Sequence, residues 1–359
     1  MASTPAETSA RMRDISPALA FDAQRLGEYL RAHIEPLQLP LRVSQFEGGQ
    51  SNPTYLLEDA RGQRWVLRRK PPGKLLPSAH AVDREYRVMS ALAGSDVPVP
   101  RMRVLCTDES VIGTAFYVMD WVAGRIFWDP RLPGLSPGER GALFDEMNRV
   151  IAALHRVDPQ AVGLGDYGKP GQYVARQIAR WSQQYRASQT EPMPAMENLM
   201  QWLPEHVPQG DEVAVVHGDF RMDNLIFHPS EPRVLAVLDW ELSTLGHPLA
   251  DFAYHCMAWR LGPGQFRGMS GEDLGALGIP TESQYVAAYC RRTDRDPVPR
   301  EQWEFFLAFN MFRLSAILQG VLARALQGNA ASAEALDAGA RARPLAEAAW
   351  AQVQRIGAA

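Results

Sequence analysis

The chain has 359 residues, 46% of them hydrophobic, with 37 basic against 41 acidic side chains and a net charge of −4. This is the composition of a globular protein of about two domains. It excludes wholesale disorder and lacks the basic field that nucleic acid or an anionic membrane calls for. Lysine occurs only as Lys70, Lys74 and Lys169, so arginine supplies nearly all the positive charge. Cys106, Cys256 and Cys290 are scattered, with no CxxC pair. They read as buried, reduced thiols of a cytoplasmic protein rather than a disulfide framework or a zinc site.

Residues 1–24 carry charges and no long apolar run, and read as a flexible tail rather than a secretory signal or a spanning helix. Apolar groups at Phe21, Leu26, Tyr29, Leu30 and Ile34 predict an amphipathic helix over 21–34. Three β-type runs follow at 41–47, 54–58 and 63–69, linked by the turn-rich GGQSNP (48–53) and DARG (59–62), an antiparallel meander. Residues 79–93 read as a helix capped by Ser78, and 101–107 and 113–121 as strands. Beyond 121 the pattern turns helical. Ser136-Pro137-Gly138-Glu139 is a capping box that opens a run to Val157. Further helices are expected at 170–187, 248–261, 281–292, 300–327 and 332–355. The apolar stretch Phe305 to Leu326 is interrupted by Arg313 and Arg324 and reads as a buried helix. Three short apolar runs, 213–217, 224–227 and 233–240, predict a small sheet packed on these helices.

The chemistry concentrates in VVHGDFRMDNLIFHPSEPRVLAVLDWE, residues 215–241. His217-Gly218-Asp219 ends one apolar run, Asn224 starts the next, and Asp239 ends a third. Adjacent strands lie about 5 Å apart, so strand ends bring such groups together. Two carboxylates and an amide oxygen form a hard-oxygen donor set of the kind Mg²⁺ prefers, with one carboxylate left to accept a proton.

HGDxxxxN (His217, Asp219, Asn224) followed by Asp239 resembles the aminoglycoside phosphotransferase and choline kinase superfamily. The resemblance implies a bilobal, protein-kinase-like α+β fold. Residues 25–121 would form an antiparallel β N-lobe, and 122–359 a mainly helical C-lobe carrying the catalytic loop, the metal site and the acceptor-binding helices. ATP and Mg²⁺ would be the cofactors. Asp219 would be the base, His217 the organiser of its loop, and Asn224 and Asp239 the metal ligands. The rest of the scheme is sought in order. GGQSNP would cover phosphates through Gly49, Gln50, Ser51 and Asn52. On the third strand, alternation puts Val66 and Arg68 on one face, and Arg68 is taken as the cation for the α/β-phosphates, with Arg69 or Lys70 the choice if the register slips. Glu85 would pair with it from the following helix, and Met119, Asp120, Trp121 and Val122 would face the adenine. KPPGKLLPSAH (70–80), GDYGKPGQYVARQIARW (165–181) and LDWELSTLGHPLAD (238–251) are similar to the kinase-like domain associated with acyl-CoA dehydrogenases.

That resemblance implies a hydroxyacyl acceptor such as a 4-hydroxyacyl-CoA, and a function alongside an acyl-CoA dehydrogenase. No segment of these residues has the size of a dehydrogenase domain, so flavin chemistry is not expected. An aminoglycoside, choline or homoserine-type kinase, a non-catalytic nucleotide-binding partner and a two-carboxylate hydrolase are the alternatives. Residues 260–359 hold 11 arginines against 10 acids, with aromatic runs such as Trp303-Glu304-Phe305-Phe306, which suits an anionic acyl acceptor better than a polycation. Asp251 is expected to accept N–H bonds from the His217-Gly218-Asp219 loop and Glu241 to be solvated. His155 reads as a packed or exposed side chain, and His228 and His247 lack metal-box spacing.

Overall fold

A computed structural model describes residues 12–47, 52–72, 80–327 and 334–357. They form two compact units. One holds the described residues up to Phe127 together with Asp223–Ser243, and the other holds Trp128–Met222 and the described residues from Thr244 on.

The first unit begins with strand β1 (Met12–Arg13), a 3-10 turn (Pro17–Leu19) and helix α1 (Ala23–Arg31). The predicted tail is therefore ordered from Met12: Met12 pairs with Phe46, and the Leu19 carbonyl accepts bonds from Tyr55 and Arg69. The Asp22 carboxylate caps α1 by accepting from the Arg25 amide at 3.0 Å. Strands β2 (Arg42–Phe46), β3 (Thr54–Glu58) and β4 (Arg64–Arg69) form the meander; then come α2 (Val82–Leu92), β5 (Met102–Cys106) and β6 (Phe116–Asp120). The sheet order is β1-β2-β3-β4-β6-β5, antiparallel throughout. Alternation buries Tyr55, Leu57, Leu67, Phe116 and Val118 against Leu26 and Leu30 of α1 and Ile34 just beyond it. The opposite face carries Val66, Arg68 and Met119, with Val66 directly across from Met119. Helix α2 starts at Val82 with Ala81 at the cap position, later than expected, and Ser78 lies outside the described residues.

The second unit opens with α3 (Pro137–Arg156), whose Ser136–Glu139 capping box is formed in both directions. Helices α4 (Tyr173–Ser188) and α5 (Pro194–Glu205) follow. The sequence reading misses α5, because Pro192, Pro194 and Pro204 punctuate it. Yet Pro194 sits in its first turn and Pro204 in its last, so only the ends are touched, and Met196, Leu199, Met200 and Leu203 bury its inner face.

The three apolar runs do not make one sheet. Strand β7 (Ala214–Val216) is in the second unit, whereas β8 (Leu225–Phe227) and β9 (Val234–Val237) pair with each other in the first. The partner of β7 is β10 (Thr244–Gly246), a segment too polar and glycine-containing to read as a strand. The 122–359 assignment thus differs from the compact units: Asn224 and Asp239 belong with the antiparallel sheet.

Helices α6 (Pro248–Cys256), α7 (Pro263–Phe266), α8 (Leu274–Leu277), α9 (Glu282–Arg292), α10 (Arg300–Leu326), α11 (Glu334–Ala340) and α12 (Ala342–Gly357) complete the second unit. Helix α10 is long and apolar enough to cross a membrane, but it is buried among α4, α6, α11 and α12. All three cysteines are buried free thiols.

Candidate active site

In the first unit Arg68 projects from β4 into a cluster of acids. Its Nε lies 3.2 Å from Glu85 Oε2, and its Nη2 lies 2.8 Å from Asp239 Oδ1 and 3.4 Å from Glu241 Oε2. Burial works against its charge, but the carboxylates, Glu85 foremost, hold the guanidinium more firmly ionised than usual. Glu85 on α2 is 1% exposed and also accepts from Asn52 Nδ2 at 2.9 Å and from the Tyr117 hydroxyl at 3.0 Å. Burial pushes its carboxyl up to about 7, with Arg68 pulling the other way. The expected Arg68–Glu85 pair is present. Glu241 is not simply solvated, because Arg68 draws it in.

The alternative cations lie elsewhere. Arg69 points to the other face of the sheet, 2% exposed, where it donates to the Ile112 and Leu19 carbonyls and packs on the Phe21 and Tyr55 rings. Strand alternation separates neighbours this way. Lys70 follows the strand, its amide bonded to the Ala115 carbonyl.

A cavity of about 250 Å³ opens beside Arg68 in the same unit. Phe46, Val66, Met119, Trp121 and Val122 line it, and Arg68 and Asp239 line its polar part. Phe46 and Trp121 stack at 5.8 Å between ring centroids. Asp120 lines the cavity too, but its carboxylate is tied to Arg103, 2.6 Å from Nε and 2.9 Å from Nη2. Asn52 turns its side chain inward, to Glu85 and to His80 Nδ1 at 3.0 Å. Gly49, Gln50 and Ser51 lie outside the described residues.

The β8–β9 hairpin brings Asn224 and Asp239 to one end: the Leu238 amide donates to the Asn224 carbonyl at 2.8 Å. Asp239 has φ 63° and ψ 59°, a left-handed backbone that aspartate tolerates better than most residues. The next residue holds it there. Trp240 is buried, with its indole N–H bonded to the Val237 carbonyl at 2.9 Å and its own carbonyl accepting from Ser243 Oγ.

In the second unit, His217-Gly218-Asp219 follows β7. Asp251 on α6 accepts the His217 and Gly218 amides, one on each carboxylate oxygen, both at 2.8 Å. His155 on α3, fully buried, bonds Asp251 through Nε2 at 3.2 Å and the Tyr289 hydroxyl through Nδ1 at 2.7 Å. It is therefore a support for Asp251, a role that was not foreseen. Burial alone would raise the Asp251 carboxyl, but His155 and the His217 amide hold it below the ordinary range. Gly218 has φ 82°, where a side chain would be strained. Its carbonyl accepts from Arg313 Nη2 of α10 at 2.8 Å. His217 is fully buried, and its Nδ1 accepts the Asp219 amide at 3.2 Å, which orients the loop. The Asp219 carboxylate meets Arg221, at 2.9 Å from Nε and 3.0 Å from Nη2, and the Tyr254 hydroxyl, at 2.5 Å. Arg221, Tyr254 and Arg313 escaped the sequence reading; the one available signal was that Tyr254 follows Asp251 by three residues on a helix and so shares its face.

An antiparallel sheet whose cation is locked by a helix carboxylate, a hairpin presenting an acid and an amide, and a buttressed His-Gly-Asp loop are the parts of a kinase-like fold of the phosphotransferase class. Residues 42–289 match the phosphotransferase enzyme family, and the chain belongs to it. It is 48% identical over 342 residues to acyl-CoA dehydrogenase family member 10 of Mus musculus, covering 94% of this chain and 32% of that protein. The chain thus spans about a third of that relative's length. A crystal structure from Ralstonia eutropha, of a protein provisionally named an aminoglycoside phosphotransferase, superposes with a TM-score of 0.86 at 58% identity, covering 94% of this chain and 99% of that one. The phosphotransferase APH(4)-Ia, solved with ADP and hygromycin B, shares the fold at a TM-score of 0.58 and 17% identity, with 92% and 98% covered.

Proposed function

We propose that the chain transfers the γ-phosphoryl group of ATP to a hydroxyl of a small hydroxyacyl molecule, of the 4-hydroxyacyl-CoA kind, with Mg²⁺. The observation that carries this reading is Arg68, anchored by Glu85 at the polar end of a cavity, with Asp239 2.8 Å away. The adenine would take the apolar cavity at Met119, Trp121 and Val122, and Arg68 would neutralise the phosphates. The oxygens of Asp239 and Asn224 are hard donors at one hairpin end, a set that fits Mg²⁺. When bound, the ion would neutralise phosphate charge as the transition state loosens. Asp219 would accept the acceptor's hydroxyl proton, with His217, Asp251 and Arg313 fixing the loop that carries it.

The acceptor class is argued from the surroundings of Asp219. Arg221 and Arg313 lie beside it, and Phe266 stacks on Arg221 at 5.7 Å. Asp251, beneath the same loop, is spent on backbone amides. Cations and aromatic rings favour an anionic acyl compound and disfavour a polycationic aminoglycoside. The mouse relative's name points the same way, toward a place alongside acyl-CoA dehydrogenation. The test is ADP release measured in parallel with a 4-hydroxyacyl-CoA, choline, homoserine and kanamycin-type aminoglycosides. Turnover of the hydroxyacyl compound is expected; turnover of an aminoglycoside alone would overturn the reading.

A further inference from the structure

The established arrangement leaves one strong contact unused. The Tyr254 hydroxyl donates to Asp219 Oδ1 at 2.5 Å, and Tyr254 is only 6% exposed. We infer that Tyr254 is a positioning residue for the phosphotransfer base: its hydroxyl holds Asp219 Oδ1 and leaves Oδ2 as the oxygen that meets the acceptor hydroxyl. The inference rests on reading Asp219 as that base.

Three features set Tyr254 apart from an ordinary core tyrosine. It lies three residues after Asp251 on α6, so one helix face grips the loop twice, by its backbone through Asp251 and by its reacting carboxylate through Tyr254. Its ring is covered by the Arg313 guanidinium, 5.4 Å from the centroid, and Arg313 also bonds the Gly218 carbonyl. The ring and the loop are thus fixed by one cation. Finally, Arg221, another partner of Asp219, is of a different kind. Arg221 reaches both oxygens from the loop itself, and its side chain is 24% exposed, so it can yield Oδ2 to an incoming hydroxyl. Oδ1 stays held by the Tyr254 hydroxyl.

In the step this implies, the acceptor O–H proton passes to Oδ2. The acceptor oxygen bonds to the γ-phosphorus as the bond from that phosphorus to the β,γ-bridging oxygen breaks, and ADP leaves with the electron pair. The ionisable groups facing Tyr254 are Asp219 and Arg221 on the loop and Arg313 on α10, with Asp251 one turn back on α6.

The experiment compares wild type with Tyr254→Phe, which keeps the ring and its packing. Urea unfolding checks the fold, and ADP release with the best acceptor from the screen gives kcat and the KM for ATP. The variant is expected to stay folded with its KM for ATP unchanged and to lose at least tenfold in kcat. A second arm measures the stability coupling of Tyr254→Phe with Asp219→Asn in a double-mutant cycle. Coupling is expected, and its absence would overturn the bond itself. If wild type turns over an acceptor and Tyr254→Phe matches it in kcat, the inference fails while the proposed function stands. If the loss is only in the KM for ATP or in stability, Tyr254 is structural and the inference also fails. If wild type turns over none of the acceptors, the proposed function falls and this inference falls with it.

Discussion

Asp251 takes one backbone amide on each carboxylate oxygen, His217 on Oδ2 and Gly218 on Oδ1. Charge-assisted bonds to two successive amides are strong and directional, and here they set the course of the chain immediately before Asp219.

Replacing Asp251 should therefore be costly. Asp251→Ala leaves two buried amides and His155 without their acceptor, for an expected loss of roughly 2–4 kcal/mol in urea unfolding, together with most of kcat. The milder Asp251→Asn tests the charge. The folded carboxyl is held below its unfolded value, so its stabilisation is present above the ordinary carboxylate range and is lost as pH falls through the folded value. Wild type should lose stability on acidification through that window, and the Asn variant should lack this component. An unchanged pH dependence would contradict the assignment.

The two neighbouring arginines should separate cleanly. Arg68→Ala is expected to raise the KM for ATP by tenfold or more, and Glu85→Ala to raise it less, with the double variant well short of additive because one pair is removed twice. Arg69→Ala should leave the KM for ATP alone and cost on the order of 2 kcal/mol of stability, since its guanidinium and stem fill a buried site. A reversed pattern would show that the phosphate cation is Arg69.

Asp239 and Asp219 should fail differently. Asp239→Asn is expected to abolish Mg²⁺-dependent turnover while the circular dichroism spectrum stays native. Asp219→Asn should cut kcat by about 100-fold or more with nucleotide affinity nearly unchanged, because a base acts on the acceptor. Loss of ATP binding with retained kcat in Asp219→Asn would invert the two roles.

Much of this arrangement is legible along the chain because it depends on short-range rules. Alternation on β4 is enough to send Arg68 and Arg69 to opposite faces, and Asp251 at a helix start behind an HGD loop has an obvious use for its oxygens. What the sequence hides is set by distant partners. Met12 and Arg13 form a strand only because Phe46 and Gln45 stand opposite them. β7 looks like a neighbour of β8, yet its ladder is completed by Thr244–Gly246, which has no β signature of its own. His155 and Tyr254 sit in apolar helices, where a histidine or tyrosine reads as filling. Their polar ends matter only once α3 and α6 are packed around the loop.

The acids gathered on Arg68 have a thermodynamic consequence. One guanidinium faces Glu85, Asp239 and Glu241, so this cluster of described groups carries more acids than cations. A free nucleotide polyphosphate approaching that charge is repelled, whereas a divalent cation is drawn in. The two ligands then act as heterotropic effectors of each other, and linkage requires each to tighten the other by the same factor. Calorimetric titrations run in both orders should return equal coupling, and Glu241→Gln should weaken it by removing one of the charges that excludes the metal-free nucleotide.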